Sequence, residues 1–354
     1  MELMDILTEA VKQDASDIFL VVGQAVSFKL DGIIKIYNEK KLMPADTEQL
    51  ITDIYEKAGR SLGNFISTGD DDFSISVPSL GRFRCNVFRQ RGTFSAVIRV
   101  VHFDLPSYKD MSIPESVINL ANLKKGLILI TGAAGSGKST TMSYIIDRIN
   151  ETRNCHILTL EDPIEFLHRH KKSIVSQREV KIDSESYSTA LRAAMRQSPD
   201  VILVGEMRDY ETIEIAMTAA ETGHLVLSTL HTIGAANTID RVIDVFPASQ
   251  QQQIRVQLSM VLQAIVSQQL LPGINKELLP AFEILKMNNA IRTMIRDNKV
   301  HQIDSVIYAS AKEEMRTMDS SILELYTRGL IDDKTALNFA ANQEVVSRAV
   351  QGGR

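Results

Sequence analysis

The apolar positions of this chain follow two rhythms. Over residues 1–101 they come in short runs, at 18–22, 26–30, 73–77 and 96–101, and those at 26–30 and 73–77 alternate with polar positions in period two. Such alternation predicts half-buried antiparallel strands. Residues 5–13 and 47–57 carry apolar side chains at helical spacing instead, with Pro44, Ala45 and Asp46 as a start signal for the second helix. The expectation is a small α+β domain over 1–105. Two prolines and several polar residues interrupt the pattern next, so 106–118 reads as a linker.

Beyond it the rhythm changes. Continuous apolar runs at 127–131, 156–160, 201–204 and 225–228 are each followed by a helical or loop segment. Strands of that kind are buried on both faces, in a parallel sheet covered by helices. Residues 119–354 are therefore expected to form an α/β domain whose last part, from about 249, is mainly helical, with one further strand at 280–286. The stripe of Val256, Leu258, Val261, Leu262 and Ile265 predicts ordinary helix core.

Within this second domain lies the chemistry. Gly132, Ala133, Ala134, Gly135, Ser136, Gly137, Lys138 and Ser139 match G-x-x-x-x-G-K-[ST] at every fixed position, between the strand 127–131 and a helix expected to begin near Thr140. Glycines let backbone amides turn toward phosphate oxygens, and the helix presents its positive end to the same anion. Lys138 would reach the β- and γ-phosphates of ATP and Ser139 would complete Mg²⁺ coordination, with Thr140 closing the phosphate site. The run 200–204 is an apolar strand followed by Gly205 and Glu206, which makes Glu206 the candidate base and a candidate metal contact. Glu161 and Glu165 follow the strand 156–160 and should emerge at the same carboxyl edge, where open α/β sheets bind ligands. Either could ligate or water-bridge the metal. His231 lies at the carboxyl end of the strand that starts near 225, beside the nucleotide, and His224 lies at its opposite end.

Composition narrows the field. The 354 residues are 44% hydrophobic and 23% charged, ordinary for a globular protein. A net charge of −5 argues against a nucleic-acid partner. Cys85 and Cys155 are too few for a disulfide framework and lack any metal-ligand spacing, and both read as small buried hydrophobes. Acids near the start where a signal peptide would be basic, and the absence of a spanning apolar run, predict a cytoplasmic protein. The basic run Arg169, His170, Lys171 and Lys172 reads as solvated loop, and Asp70, Asp71 and Asp72 as a turn before a strand.

The order of these stations, with Met207, Arg208 and Asp209 after Glu206 and the segment from Gly223 to Thr232, resembles the Walker A, Asp box, Walker B and His box of secretion ATPases. Within that superfamily, Ala290, Ile291, Arg292, Thr293, Met294, Ile295, Arg296 and Asp297 are similar to a segment typical of the type IV pilus retraction (PilT-like) branch. The resemblance implies a PAS-like N-terminal domain, a RecA-like P-loop ATPase core and a homo-hexamer. The implied function is a motor coupling ATP hydrolysis to movement of an inner-membrane pilus platform protein, at the inner face of the cytoplasmic membrane, for twitching motility. A paralogous retraction ATPase is a further implied partner. Arginines of the N-terminal domain would complete the nucleotide site, and Arg82, Arg84 and Arg99 lie in the matching stretch. Phe19 stands where relatives usually carry histidine, and Ile233 and Gly234 depart from the commoner HTNS sequence. The alternatives are a pilus extension or type II secretion ATPase and, with less support, a nucleic-acid translocase. Arg292 and Arg296, one turn apart, are expected to form an exposed partner-facing surface.

Overall fold

The computed structural model describes residues 2–30, 32–101 and 107–352. The chain divides into two compact units, Met1–Asp104 and Leu105–Arg354.

The first unit is a six-stranded antiparallel sheet of β1 (Asp17–Leu20), β2 (Ala25–Leu30), β3 (Ile33–Lys41), β4 (Asp70–Val77), β5 (Gly81–Gln90) and β6 (Thr93–Val101), in the order β3-β2-β1-β6-β5-β4. Side chains of a strand alternate between faces. Phe83, Cys85 and Val87 of β5 and Ile98 and Val100 of β6 enter a core shared with the helices Leu3–Lys12 and Pro44–Ala58, while Arg82, Arg84 and Arg99 take the other face. Asp70, Asp71 and Asp72 do not form the expected turn; they are the first residues of β4. Asp71 accepts the Tyr55 hydroxyl at 2.8 Å and pairs with Arg60, and Asp72 pairs with Arg84, so partners on neighbouring elements carry charges into the strand.

The second unit is built on a seven-stranded sheet of β7 (Gly126–Thr131), β8 (His156–Glu161), β9 (Ile174–Glu179), β10 (Val201–Val204), β11 (Leu225–Leu230), β12 (Leu262–Pro272) and β13 (Leu278–Lys286), ordered β13-β12-β7-β11-β10-β8-β9. Every pairing is parallel except that of β12 with β13. Alternation along β7 shows why the strands read as unbroken apolar runs: Leu127 and Leu129 enter one core, Ile128 and Ile130 the other. Residues 107–118 belong to this unit, with Ile113, Val117 and Ile118 buried in its second core.

Two expectations change. The apolar stripe from Val256 to Ile265 is not one helix. The helix Gln251–Val261 stops, and Leu262 opens β12, because the next apolar residues pair with β7 and need both faces covered. Arg292, expected to be exposed, is half-buried. From the helix Asn289–Arg296 its guanidinium donates to the carbonyls of Ser259 and Met260, capping the end of the helix that leads into β12. Arg296 alone keeps an exposed position, bonded to Thr293 at 3.0 Å.

Arg292→Ala leaves those last-turn carbonyls without a charged donor and should cost about 2 kcal/mol, the scale of a hydrogen bond to a charged group. Thermal melts check this; an unchanged Tm would show that water replaces the cap without loss.

Candidate functional site

Thr131 ends β7, and the chain turns through residues 132–137 into the helix Lys138–Thr152, two residues earlier than the sequence pattern suggests. The turn tolerates only glycine at two places. Gly132 has φ +146 and a Cβ there would lie 2.3 Å from the Gln268 carbonyl oxygen; Gly137 has φ +86 and a Cβ there would lie 2.8 Å from Gln268 Nε2. Lys138 stands at the first helical position, buried, and its Nζ donates to the carbonyls of Gly132 at 2.9 Å and Ala133 at 2.8 Å. Burial lowers its pKa, and the carboxylates of Glu165 and Glu206 oppose that shift. The Ser136 hydroxyl, inside the loop, is buried and has no hydrogen-bond partner among the described residues.

The parallel register gathers the other stations at the same edge. β7, β11, β10 and β8 are sheet neighbours in that order, so residues just past their carboxyl ends meet around one cleft of about 270 Å³, lined by Lys138, Ser139, Glu161, Glu165, Glu206 and His231 among others. Glu206 follows β10 by two residues. The turn that carries it is stitched to β11: the Thr229 hydroxyl donates to the Gly205 carbonyl at 2.6 Å and the Met207 amide to the Thr229 carbonyl at 3.2 Å. Its carboxylate pairs with Arg208 Nε at 2.7 Å and lies 3.5 Å from His231 Nε2. Glu161 points differently. It accepts from the Thr159 hydroxyl at 2.6 Å and from Gln177 at 3.3 Å, and burial pushes its carboxyl up to about 7. Glu165 is exposed at the cleft. His224 does not join the cluster; its Nδ1 bonds the Ala219 carbonyl at 3.0 Å at the end of the helix Tyr210–Glu221.

In the first unit, Arg84 makes a two-pronged pair with Asp72, at 3.0 and 2.6 Å. Arg99 Nε bonds Asp17 at 3.2 Å, and Arg82 donates to the Ser76 hydroxyl at 2.9 Å. Arg84 and Arg99 are direct cross-strand neighbours.

The sequence profile of the type II/IV secretion system protein family matches residues 1–278. The chain belongs to this family. Its similarity to other members of the type II/IV secretion family extends over most of its length. The type IV pilus retractation ATPase PilT of Pseudomonas aeruginosa is 43% identical over 337 residues, 95% of this chain and 97% of that one. A twitching motility protein of Neisseria gonorrhoeae is 39% identical over 346 residues, 98% of this chain and 92% of that one. A crystal structure of the pilus retraction motor PilT with bound ADP matches with a TM-score of 0.89 at 44% identity, covering 98% of this chain and 99% of that one. This secretion-family member is an ATPase with a RecA-like core.

Two residues at the site carry no motif of their own in the sequence. Tyr187 reaches the cleft from the start of the helix Tyr187–Ala194 and Gln268 underlies the loop from β12. Only the β12 signal was available, as polar Ser267, Gln268 and Gln269 inside an apolar run.

A carboxyl held protonated up to about 7 in the folded chain, against 4.5 without the fold, binds more protons in the native state. Stability therefore falls as pH rises through that window. Glu161→Gln should flatten the slope of Tm against pH there in nucleotide-free protein; an unchanged slope would show that Glu161 is not its source.

Proposed function

We propose that this chain is the ATP-driven retraction motor of a type IV pilus, working as a homo-hexamer on an inner-membrane platform protein from the cytoplasmic side. The observation that carries the proposal is the convergence of a phosphate loop, Glu206 and His231 on one cleft, in a chain resembling a retraction ATPase over nearly all its length. Among the described residues no helix is long and apolar enough to cross a membrane, so attachment would come through the platform protein.

The residues present fit ATP. Gly132 and Gly137 leave no room for a Cβ, the Ser136 hydroxyl is available to donate, and Lys138 Nζ can exchange two carbonyls for the β- and γ-phosphates. Among the described residues no three His, Cys, Asp or Glu side chains form a metal cage. Mg²⁺, which prefers phosphate oxygens and water with few protein ligands, would be held chiefly through Ser139, with Glu206 and Glu165 beyond it. When bound, it would neutralise charge on the transferring phosphoryl group. Glu206 would take a proton from the attacking water, and His231, 3.5 Å from its carboxylate, would help orient it. Arg84 and Arg99 would act on phosphates bound to another subunit, which ties turnover to the ring.

Lys138→Ala should abolish turnover, and Glu206→Gln should bind ATP but not hydrolyse it. Wild-type rates in the lysine variant would remove the site assignment, and failure of the glutamine variant to bind would make Glu206 structural. In cells, deletion should leave surface pili while twitching is lost. Bald cells would identify an extension motor instead.

A further inference from the structure

The phosphate loop leans on one residue that lies 127 positions beyond the helix residue it bonds. β12 runs parallel to β7 with Ser267 opposite Thr131, so Gln268 is the next residue along, level with the start of the loop. Its backbone carbonyl packs against Gly132 and its side-chain Nε2 against Gly137. Its Oε1 accepts the Thr141 hydroxyl at 2.7 Å, and that bond is buried, with Gln268 4% and Thr141 0% exposed. One side chain and its carbonyl thus meet the first glycine of the loop, the last glycine, and the opening turn of the helix behind them.

We propose that Gln268 is a positioning residue for the phosphate loop. It holds residues 132–137 in their nucleotide-accepting shape before the ligand arrives, and so sets nucleotide affinity without itself touching the reacting phosphate. The inference rests on the nucleotide reading of the cleft. Its physical basis is preorganisation: a loop of small residues, four of its eight motif positions being glycine or alanine ahead of Ser136, has many conformations to lose on binding, and a fixed wall removes most of them in advance. The bond to Thr141 matters because it fixes the amide. Without that acceptor the buried Thr141 hydroxyl is orphaned, the Gln268 side chain can turn, and the wall against Gly137 is lost. A residue that merely filled the core would act on stability and leave affinity alone.

Two single variants and their combination separate these roles: Gln268→Leu, which keeps bulk and removes the amide, and Thr141→Val, which removes the hydroxyl. Fluorescent ADP binding, steady-state ATP hydrolysis and nucleotide-free thermal melts of the full chain are the measurements. The expected result is a rise of about tenfold in ADP Kd and ATP KM for each single variant, with kcat within about threefold of wild type, because one buried hydrogen bond shapes the loop while Glu206 is untouched. The double variant should be little worse than either single one, since both break the same bond. Variants that melt lower but bind with wild-type affinity would overturn the proposal, as would losses that simply add. Should Gln268→Leu fail to fold, Thr141→Val decides alone: a raised Kd supports the proposal and a wild-type Kd overturns it. Wild-type protein that binds no nucleotide would overturn this proposal and the ATP site together, whereas unaltered affinity in the variants would leave the ATP site standing.

Discussion

The parallel register of β7, β11, β10 and β8 is the constraint from which the rest of the second unit follows. Parallel strands start and stop at the same levels, so four segments far apart in sequence deliver their next residues to one edge. The price of that arrangement is that both sheet faces must be covered, and the long apolar runs with helices between them meet it. The cleft is then a by-product of topology. What sequence must add is only which side chain stands just past each strand end: a lysine after β7, carboxylates after β8 and β10, a histidine after β11.

Placing those groups together creates an electrostatic problem that the structure resolves unevenly. Lys138 is buried and would lose its proton more readily there, but two carboxylates favour its charged form. Glu206 in turn is held by Arg208 and neighboured by His231. Glu161 has only neutral hydrogen-bond donors, so burial dominates and its proton is retained to about pH 7. Of two glutamates four residues apart, one is therefore held inside the fold by Thr159 and Gln177 while Glu165 stays open at the cleft. The difference bears on the roles proposed for them, since Glu165 is the one of the two exposed at the cleft.

Much of this was legible in the sequence because strands buried on both faces announce themselves and a phosphate loop has fixed spacing. The strand cores of β7, β8, β10 and β11 fall where unbroken apolar runs stand. β12 was not legible, since the helix Gln251–Val261 runs straight into it without a breaker and the apolar spacing continues across the junction. β3 was missed for the opposite reason. It is an edge strand with Ile33, Ile34 and Ile36 exposed, so no inward and outward alternation marks it. β5 was also missed, although it carries the signal, with Phe83, Cys85 and Val87 alternating with Arg82, Arg84 and Asn86. Gln268 escaped notice because its importance comes from a pairing register, which local sequence does not encode.

The arginines of the first unit are the remaining step. Arg84 and Arg99 each already pair with a carboxylate, so action on a phosphate would require an exchange of partners, and the cost of exchange depends on what is left behind. Arg99 leaves Asp17, whose side chain is 9% exposed and has Lys29 at 4.0 Å as its other cation. Removing a partner from a carboxylate so enclosed is strongly unfavourable. Arg84 leaves Asp72, whose side chain is 42% exposed and can be rehydrated. Solvent-exposed pairs contribute only about 0–1 kcal/mol, so opening the pair with Asp72 itself costs little. Arg84 and Arg99 also face each other across β5 and β6, which means that a departing Arg84 relieves a like-charge neighbour while Arg99 stays anchored. In the proposed motor Arg84 would therefore be the arginine better able to move to an incoming phosphate, with Arg99 holding the strand pair from which it leaves.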